Sequence, residues 1–321
     1  MVVAALLTFI VLASCNSPKS VKQFKLRIGL FPVQDFLPYF VMQEQGFAKK
    51  NGLQFEETSY SGGAEIIDVM LAGALDMGYV GSVPALSAAQ RGLIPGKLAP
   101  VAANSFTNPE HPTIGVLVAL SVNNWKDLEG QPIAINALYS LNTAAIKGRL
   151  QMEGVNKYDL VEIPFANMGL AVAGGNVAAA TMLEPFLSQS LLRGDGKLLG
   201  WVVGGPPFEH METTMVVFRR DFHQNYPQVV KAYLRSHLQA INWINQNPNG
   251  ARSILTKRLG LSQEVGQKIN LLRWPFDARN DPVLLESMQP MLVNIGMLKA
   301  PIPASHLYDE TLLEEVLKEK R

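Results

Sequence analysis

Residues 71–84, LAGALDMGYVGSVP, and residues 175–186, GNVAAATMLEPF, are the stretches on which the fold assignment rests. In both, a glycine precedes a short apolar run, which is followed by a loop and a proline. The apolar runs are typical of short buried strands. Proline is favoured in the first turn of a helix, so Pro84 and Pro185 predict a helix after each strand. Two unrelated strand–helix units could show the same pattern by coincidence. The surrounding sequence is therefore needed to show whether the two stretches belong to two similar lobes.

Strand-like and helix-like segments alternate on both sides of these two stretches. Residues 25–103 predict strands separated by helices, and the alternation restarts after residue 113. The predicted strands are 26–31, 54–58, 77–80, 98–103, 114–119, 132–136, 160–164, 177–182, 198–203 and 214–219. A βαβαβ order implies a parallel sheet with right-handed crossovers. The sequence therefore predicts the α/β class, with two parallel-sheet lobes joined by two extended crossings and covered by C-terminal helices. These helices are predicted over residues 228–245, 250–258, 262–272 and 282–295.

Length and charge narrow the class of protein. The 321 residues suggest about two domains, since domains run to about 100–200 residues. With 28 basic and 27 acidic residues the net charge is +1, which leaves no electrostatic footprint for nucleic acid or an anionic membrane. Apolar residues make up 48% and charged residues 17% of the chain, which provides for a core and is too little charge for disorder.

Residues that carry catalysis or bind metals are sparse. Cys15 is the single cysteine, which excludes disulfide frameworks, cysteine-based zinc sites and iron–sulfur clusters. The five histidines show no metal-ligand spacing, and neither a nucleophile-elbow nor a zinc-protease motif is present. His223 and His237, in the C-terminal helical region, are expected to be solvated. We therefore expect no metal, no cofactor and no enzymatic activity.

The N-terminal segment resembles an export signal. Residues 2–13, VVAALLTFIVLA, are uncharged and mostly apolar, which suits a secretory signal but is too short for the ~30 Å core of a bilayer. Residues 12–15, LASC, resemble the bacterial lipobox, in which the cysteine is acylated and the preceding peptide is removed. This implies a signal peptide at residues 1–15, a lipid on Cys15 and a polar tether at residues 16–24. The alternative is a short buried strand that ends in an ordinary core cysteine.

Five phrases carry a family resemblance across nearly the whole chain. They are residues 37–53 (LPYFVMQEQGFAKKNGL), 71–84, 125–134 (WKDLEGQPIA), 175–186 and 216–248 (VVFRRDFHQNYPQVVKAYLRSHLQAINWINQNP). In this order and spacing they make the chain similar to the periplasmic substrate-binding proteins of ABC importers, in the nitrate/sulfonate/taurine (NMT1/THI5-like) branch. The chain departs from that pattern at Ala178, where the family commonly has an acidic residue, and at Leu183, where an aromatic residue is common.

The resemblance implies the two-lobed periplasmic-binding-protein fold of type II. Residues 25–112 and 215–321 would form the first lobe and residues 113–214 the second, with hinges at the crossings 112–118 and 209–217. It also implies a binding protein that captures a small ligand between the lobes and delivers it to a membrane permease and its ATPase. Such a protein would be a monomeric lipoprotein on the periplasmic or extracellular face of a bacterial membrane.

The candidate site lies outside the carboxyl ends of the strands, where open α/β sheets bind ligands. Helices begin there, and their first N–H groups can hold a small anion without a cationic side chain. The candidate ligand-binding residues are Gln34, Asp35, Leu37, Ser61, Gly62, Gly63, Gly81, Ser82, Tyr139, Ser140, Asn142, Thr143, Glu184 and Thr213. Several have a structural alternative: the two glycines can form a tight turn, Ser82 and Asn142 can cap helices, and Tyr139 can be half-buried packing.

Glu184 bears most directly on the nature of the ligand. A carboxylate among N–H donors repels a bare anion and suits a ligand with an amine, a ring N–H or hydroxyl groups. The alternative is a carboxylate that only stabilises the dipole of the following helix. Nitrate, an alkanesulfonate and taurine are therefore candidates beside a pyrimidine, a thiamine precursor or a flavin-like heterocycle.

Three other classes of protein share parts of this pattern. The pyrimidine-synthesis enzymes related to yeast thiamine biosynthesis have a similar fold, but this chain lacks their cysteine-rich motif. A sensory extracytoplasmic domain and a structural lipoprotein without a small ligand are the other two. A permease and an ATPase encoded nearby would favour the importer.

Overall fold

The structure is a computed structural model that describes residues 23–60 and 62–319. The predicted signal peptide, Cys15, most of the predicted tether and Ser61 lie outside the described residues. Within the described ranges, no helix combines the length and the apolar character that a membrane crossing requires.

The described residues form ten strands in two sheets. The strands are β1 Phe24–Leu30, β2 Leu53–Ser59, β3 Met77–Gly81, β4 Leu98–Thr107, β5 Ile114–Val118, β6 Gln131–Ile135, β7 Tyr158–Glu162, β8 Ala179–Leu183, β9 Lys197–Val203 and β10 Met211–Arg219. The first sheet has the order β2-β1-β3-β10-β4 and the second the order β7-β6-β8-β5-β9. Each sheet with its flanking helices is one lobe, and the predicted two-lobed α/β fold is confirmed.

Each sheet is mixed, which corrects the prediction of two parallel sheets. In the first sheet β10 runs antiparallel to β3 and β4, and in the second β5 runs antiparallel to β8 and β9. β5 and β10 are the strands that follow the two crossings. The carboxyl ends of the parallel strands face the space between the lobes, so a strand that enters a sheet from that space has to run in the opposite direction.

The crossings are shorter than predicted. The chain passes from β4 to β5 through residues 108–113 and from β9 to β10 through residues 204–210. The predicted crossings at 112–118 and 209–217 lie largely within β5 and β10. Residues 211–214, which the predicted boundary assigned to the second lobe, pair within the first sheet as part of β10.

Helices cover both faces of the sheets. They are α1 Leu37–Glu44, α2 Phe47–Lys50, α3 Gly63–Leu71, α4 Ser82–Gln90, α5 Leu141–Met152, α6 Phe165–Ala173, α7 Phe186–Arg193, α8 Arg220–Asn225, α9 Pro227–Gln246, α10 Pro248–Arg258, α11 Gln263–Lys268, α12 Pro282–Asn294 and α13 Thr311–Lys318. α8 and α13 were not among the predicted helices. β4, β5 and β8 are buried along their whole lengths, which explains why they read as apolar runs in the sequence.

The helix predicted over residues 262–272 ends at Lys268. Nη1 of Arg252 donates to the carbonyl oxygens of Gly266 and Ile269, each at 2.7 Å. A side chain from α10 therefore satisfies carbonyl groups at the end of the helix and beyond it. This tertiary contact replaces the last turn that the apolar spacing predicted.

The prediction that His223 and His237 are solvated was wrong, because α8 and α9 pack against the first sheet. Both side chains are buried. Nε2 of His237 lies 3.1 Å from the carbonyl oxygen of Ala103, and its ring stacks on Tyr233. Burial lowers the pKa of His237 to about 4. No group of three His, Cys, Asp or Glu side chains suited to a metal ion occurs in the part of the chain that the structure covers.

Candidate functional site

A cavity of about 380 Å³ lies between the two lobes. Its first-lobe wall comes from residues that follow β1, β2 and β3 and from the start of β10. Its second-lobe wall comes from residues that follow β6 and β7, from the end of β8 and from the start of β5. The carboxyl ends of six parallel strands therefore meet at one space, as in other open α/β sheets that bind ligands. The volume is in the range of small-molecule sites.

The structure brings eight of the predicted ligand-binding residues to this cavity. They are Asp35, Gly62, Gly63, Gly81, Tyr139, Ser140, Asn142 and Thr213. Ser61 is outside the described residues. The other predicted ligand-binding residues are Gln34, Leu37, Ser82, Thr143 and Glu184, which are buried and are not part of the cavity wall.

Gln34 and Leu37 belong to the packing behind the cavity. Leu37 begins α1 and is fully buried in the core of the first lobe. Nε2 of Gln34 donates to Oγ1 of Thr113 at 3.3 Å, and its Oε1 accepts the N–H of Leu272 at 3.1 Å. Gln34 therefore ties the loop after β1 to the first crossing and to the C-terminal segment.

The hydroxyl groups of Ser82 and Thr143 donate hydrogen bonds to backbone carbonyl oxygens. Oγ of Ser82 donates to the carbonyl oxygen of Glu212, and Oγ1 of Thr143 donates to that of Ala137 at 2.7 Å. Both residues lie at the start of a helix, so their positions along the chain were predicted. The direction of each side chain depends on a carbonyl that only the folded chain supplies.

Glu184 connects the second lobe to the C-terminal segment. Its carboxylate accepts the N–H of Ser188 at 3.2 Å and the Ser188 hydroxyl at 2.9 Å, both in the first turn of α7. It also accepts the backbone N–H of Asn270, and Arg252 lies close enough to favour its charged form. Burial nevertheless raises the pKa of Glu184 to about 7. These contacts match the helix-dipole alternative more closely than ligand contact.

Replacing Glu184 with alanine is expected to lower the free energy of unfolding by about 2 kcal/mol, because buried donors on Ser188 and Asn270 lose their acceptor. Urea denaturation followed by circular dichroism measures this loss. Glu184→Gln keeps one acceptor oxygen and is expected to lose less. Unchanged stability of the alanine variant would contradict the structural role.

Asp35 is held at the floor of the cavity by hydroxyl groups from β4 and β10. Its Oδ1 accepts the hydroxyl groups of Ser105 and Thr214, each at 3.1 Å. Nδ2 of Asn104 donates to the backbone carbonyl oxygen of Asp35 at 2.9 Å, which fixes the loop. Burial raises the pKa of Asp35, and the two hydroxyl donors partly offset that rise.

The start of α5 contributes polar residues that are already bonded within the protein. Oγ of Ser140 accepts the N–H of Thr143 at 3.2 Å and donates to Oδ1 of Asn136 at 2.9 Å. Nδ2 of Asn142 donates to the carbonyl oxygen of Thr181 at 3.0 Å. Ser140 is therefore the N-cap of α5, a role that the sequence analysis had considered for Asn142.

Apart from Tyr139, the aromatic part of the cavity wall was not predicted from the sequence. Phe31 and Phe36 follow β1 and contact each other with ring centroids 5.3 Å apart. Phe165 begins α6 and stacks on Phe186 at 5.4 Å. Tyr139 is 64% exposed at the start of α5 and also lines the cavity. Their signal was available, because each follows the carboxyl end of a predicted strand.

Two carboxylates on the cavity wall were also missed. Glu65 lies in the first turn of α3, and Glu162 is the last residue of β7. Oε1 of Glu162 accepts the N–H of Leu138 at 2.8 Å. The predicted strand 160–164 placed Glu162 inside a strand, whereas the observed β7 ends at it. Asp35 and Glu184 were the acidic residues predicted at the site.

The two crossings contact each other below the cavity. The N–H of Thr113, in the first crossing, donates to the carbonyl oxygen of Val203 at the end of β9 at 3.0 Å. Within the second crossing, the N–H of Gly204 donates to the carbonyl oxygen of Phe208 at 2.8 Å. Gly204 has a φ of +78° and lies so close to Pro112 that a side chain there has no room. Both connections between the lobes therefore depend on one close backbone approach.

The chain is similar in sequence to a known family and to a known periplasmic protein. The model of the NMT1-like family matches residues 19–260. The taurine-binding periplasmic protein of Escherichia coli is 25% identical over 213 residues, an alignment that covers 63% of this chain and 61% of that protein. The match thus spans less than two thirds of the length of that relative.

Solved structures share the fold over nearly their whole length. The ligand-binding component of an ABC-type import system from Staphylococcus aureus is 13% identical, with a TM-score of 0.77 and coverage of 92% of this chain and 99% of that chain. The periplasmic nitrate-binding protein from Synechocystis is 15% identical, with a TM-score of 0.77 and coverage of 93% and 89%. The aliphatic sulphonate-binding protein from Escherichia coli is 16% identical, with a TM-score of 0.68 and coverage of 89% and 92%.

The family match covers well over half of the chain and includes all five phrases completely. The resemblance to this family is therefore confirmed, and at identities this low the solved structures add the fold alone. The chain belongs to the NMT1-like family.

Proposed function

We propose that the chain is the extracytoplasmic substrate-binding component of an ABC importer. It captures a small molecule in the cavity between its lobes and delivers it to a membrane permease that an ATPase drives. The cavity carries the proposal, because both lobes line it at the point where the chain crosses twice. A ligand that contacts both lobes favours their closed arrangement by its differential affinity for the two states.

The relatives support this function by what their names state. They are a taurine-binding protein, a nitrate-binding protein and a sulphonate-binding protein, all periplasmic. A small anion or zwitterion is the ligand class that they suggest, and a heterocycle such as a pyrimidine, a thiamine precursor or a flavin is the alternative. The proposed role is binding, with no catalytic step.

The ligand contacts belong to the proposal as well. We assign them to the predicted residues that line the cavity: Asp35, Gly62, Gly63, Gly81, Tyr139, Ser140, Asn142 and Thr213. Residues 1–15 would act as a lipoprotein signal peptide, with a lipid on Cys15 and residues 16–24 as the tether. The protein would then work as a monomer, anchored on the periplasmic or extracellular face of a bacterial membrane.

The test is a thermal-shift screen of the purified protein against anions, zwitterions and heterocycles, together with mass spectrometry of small molecules that co-purify with it. A compound at 100 times its Kd is expected to stabilise the protein by about 2.7 kcal/mol. If no compound of any class raises Tm and no small molecule co-purifies, the binding function is contradicted.

A variant that fills the cavity sharpens this test. Gly81→Leu adds a side chain at the cavity wall, where a Cβ atom meets only ordinary contacts at 3.5 Å and beyond. It is expected to fold and to lose the ligand-induced rise in Tm. Ala173→Leu, an equivalent addition at an exposed position of α6, is the control and is expected to keep that rise.

A further inference from the structure

The charged side chains on the cavity wall are negative. Asp35, Glu65 and Glu162 line the cavity, whereas no lysine, arginine or histidine occurs among the described residues of its wall. An anion in this space lies near carboxylates, and no cationic side chain among the described residues of the wall attracts it. The charges of the cavity therefore disfavour a nitrate or sulfonate group.

The polar side chains at the second-lobe wall already use hydrogen-bond donors within the protein. Ser140 donates its hydroxyl hydrogen to Asn136, and Asn142 donates from its amide group to the carbonyl oxygen of Thr181. Donors that are already bonded to the protein have to break those bonds before they can bind a ligand. At the second-lobe wall an anion therefore relies mainly on the backbone N–H groups of the helix starts, because Ser140 and Asn142 already donate within the protein.

Asp35 is oriented before any ligand arrives. Its side chain is 9% exposed, and both of its hydroxyl partners, on Ser105 and Thr214, reach the same oxygen, Oδ1. Among the described side chains none donates to Oδ2, and the residue lines the cavity. A buried carboxylate with one oxygen already satisfied suits a single donor on a ligand, most strongly a charged one.

Aromatic rings surround the remaining space. Phe31 and Phe36 stand on the first-lobe side, and Phe165 stands on the second-lobe side. Tyr139 lies at the wall with more than half of its side chain exposed. Rings of this kind bind a flat ring by stacking and attract a cation through their faces.

We propose that the ligand is an arylalkylamine, an aromatic or heteroaromatic ring with its amine on an alkyl side chain, bound as a cation. Its ammonium group pairs with Asp35 at the cavity floor, and its ring packs between the aromatic side chains of the two lobes. The inference rests on the proposed binding function and specifies the substrate class of the same cavity. It differs from the anionic ligands that the names of the relatives suggest.

The first experiment compares three ring compounds of nearly equal size and different charge: benzylamine, benzyl alcohol and benzenesulfonate. Isothermal titration calorimetry with the full chain at pH 7 measures each affinity. Benzylamine is expected to bind at least about tenfold more tightly than benzyl alcohol, because it adds a charge-assisted hydrogen bond to a buried carboxylate. Benzenesulfonate is expected to bind most weakly.

The second experiment removes the charge of Asp35. Asp35→Asn is expected to lower the affinity for benzylamine about tenfold or more and to leave that for benzyl alcohol unchanged. Asp159→Asn, at an exposed position of β7 outside the cavity, is the control and is expected to change neither affinity. If circular dichroism shows that Asp35→Asn is unfolded, the order of the affinities of the three ring compounds for the unmodified protein decides whether the inference holds.

The outcomes separate this inference from the function on which it rests. Tighter binding of benzenesulfonate, taurine or nitrate than of benzylamine overturns the inference and supports uptake of an anion. Equal binding of the three ring compounds, or binding of none, also overturns it. The binding function itself fails only if the screen and the mass spectrometry described above find no ligand.

Discussion

Replacing Gly204 with alanine is expected to lower the free energy of unfolding by about 4 kcal/mol. A Cβ atom there would lie 2.3 Å from Cα of Pro112 and 2.9 Å from the carbonyl oxygen of Asn108, and both are backbone atoms. The φ of +78° adds strain for any residue with a side chain, which costs about 1–2 kcal/mol. The overpacking costs about 1–3 kcal/mol more, because neither backbone can move without shifting a crossing.

Urea denaturation measures this loss, and Gly175→Ala is the matched control. Gly175 has a similar φ of +72° after the end of α6, but a Cβ atom there has no neighbour within 4 Å. The control variant is expected to lose only about 1 kcal/mol. Equal losses in the two variants would show that the contact between the crossings contributes nothing.

Raising the pH from 6.5 to 8.5 is expected to lower the free energy of unfolding by about 2 kcal/mol through Glu212 alone. Glu212 is fully buried at the start of β10, and burial raises its pKa from 4.5 to about 8. Its Oε2 accepts the N–H of Asp281 and the hydroxyl of Tyr308, while Oε1 has no partner among the described residues. Nearby Glu310 and Asp281 disfavour the charged form further.

The direction of this pH dependence follows from proton binding. Above pH 4.5 the unfolded chain has released the proton of Glu212, whereas the folded protein retains it up to about pH 8. The folded state therefore binds more protons, and stability falls as the pH rises through that interval. Glu184 acts in the same direction, with a folded pKa of about 7. Burial lowers the pKa of His237 to about 4, so only the unfolded imidazole, which is half protonated at pH 6.5, releases a proton in this window. That release raises stability by only about 0.4 kcal/mol and offsets a small part of the loss.

Glu212→Gln tests the assignment, because glutamine has the same shape and carries no titrating proton. Thermal unfolding at both pH values is expected to show a smaller loss for this variant than for the unmodified protein, with the contribution of Glu184 remaining. Glu209→Gln, at an exposed position three residues earlier, is the control and is expected to keep the full loss. An unchanged pH slope in Glu212→Gln would exclude this residue as the source.

The positions of most elements could be predicted because the signals are local. Pro84 and Pro185 marked helix starts, and the apolar runs before them became β3 and β8. The rule that ligands bind at the carboxyl ends of parallel strands selected eight residues that line the cavity. α8 and α13 were not predicted because they are short, with six and eight residues, and helices of that length depend on packing, here on the first lobe, for their stability.

The α/β alternation, the two lobes and the strand ends at which the cavity forms follow from the order of residues alone, because proline, glycine and apolar spacing act on neighbouring residues. The direction of β5 and β10 follows from the folded chain, since it depends on the side from which the chain enters each sheet. It also decided which polar side chains face the cavity. Ser82 and Glu184 turn away from it because their partners, a carbonyl of Glu212 and an N–H of Asn270, are distant in the chain and meet them only after folding.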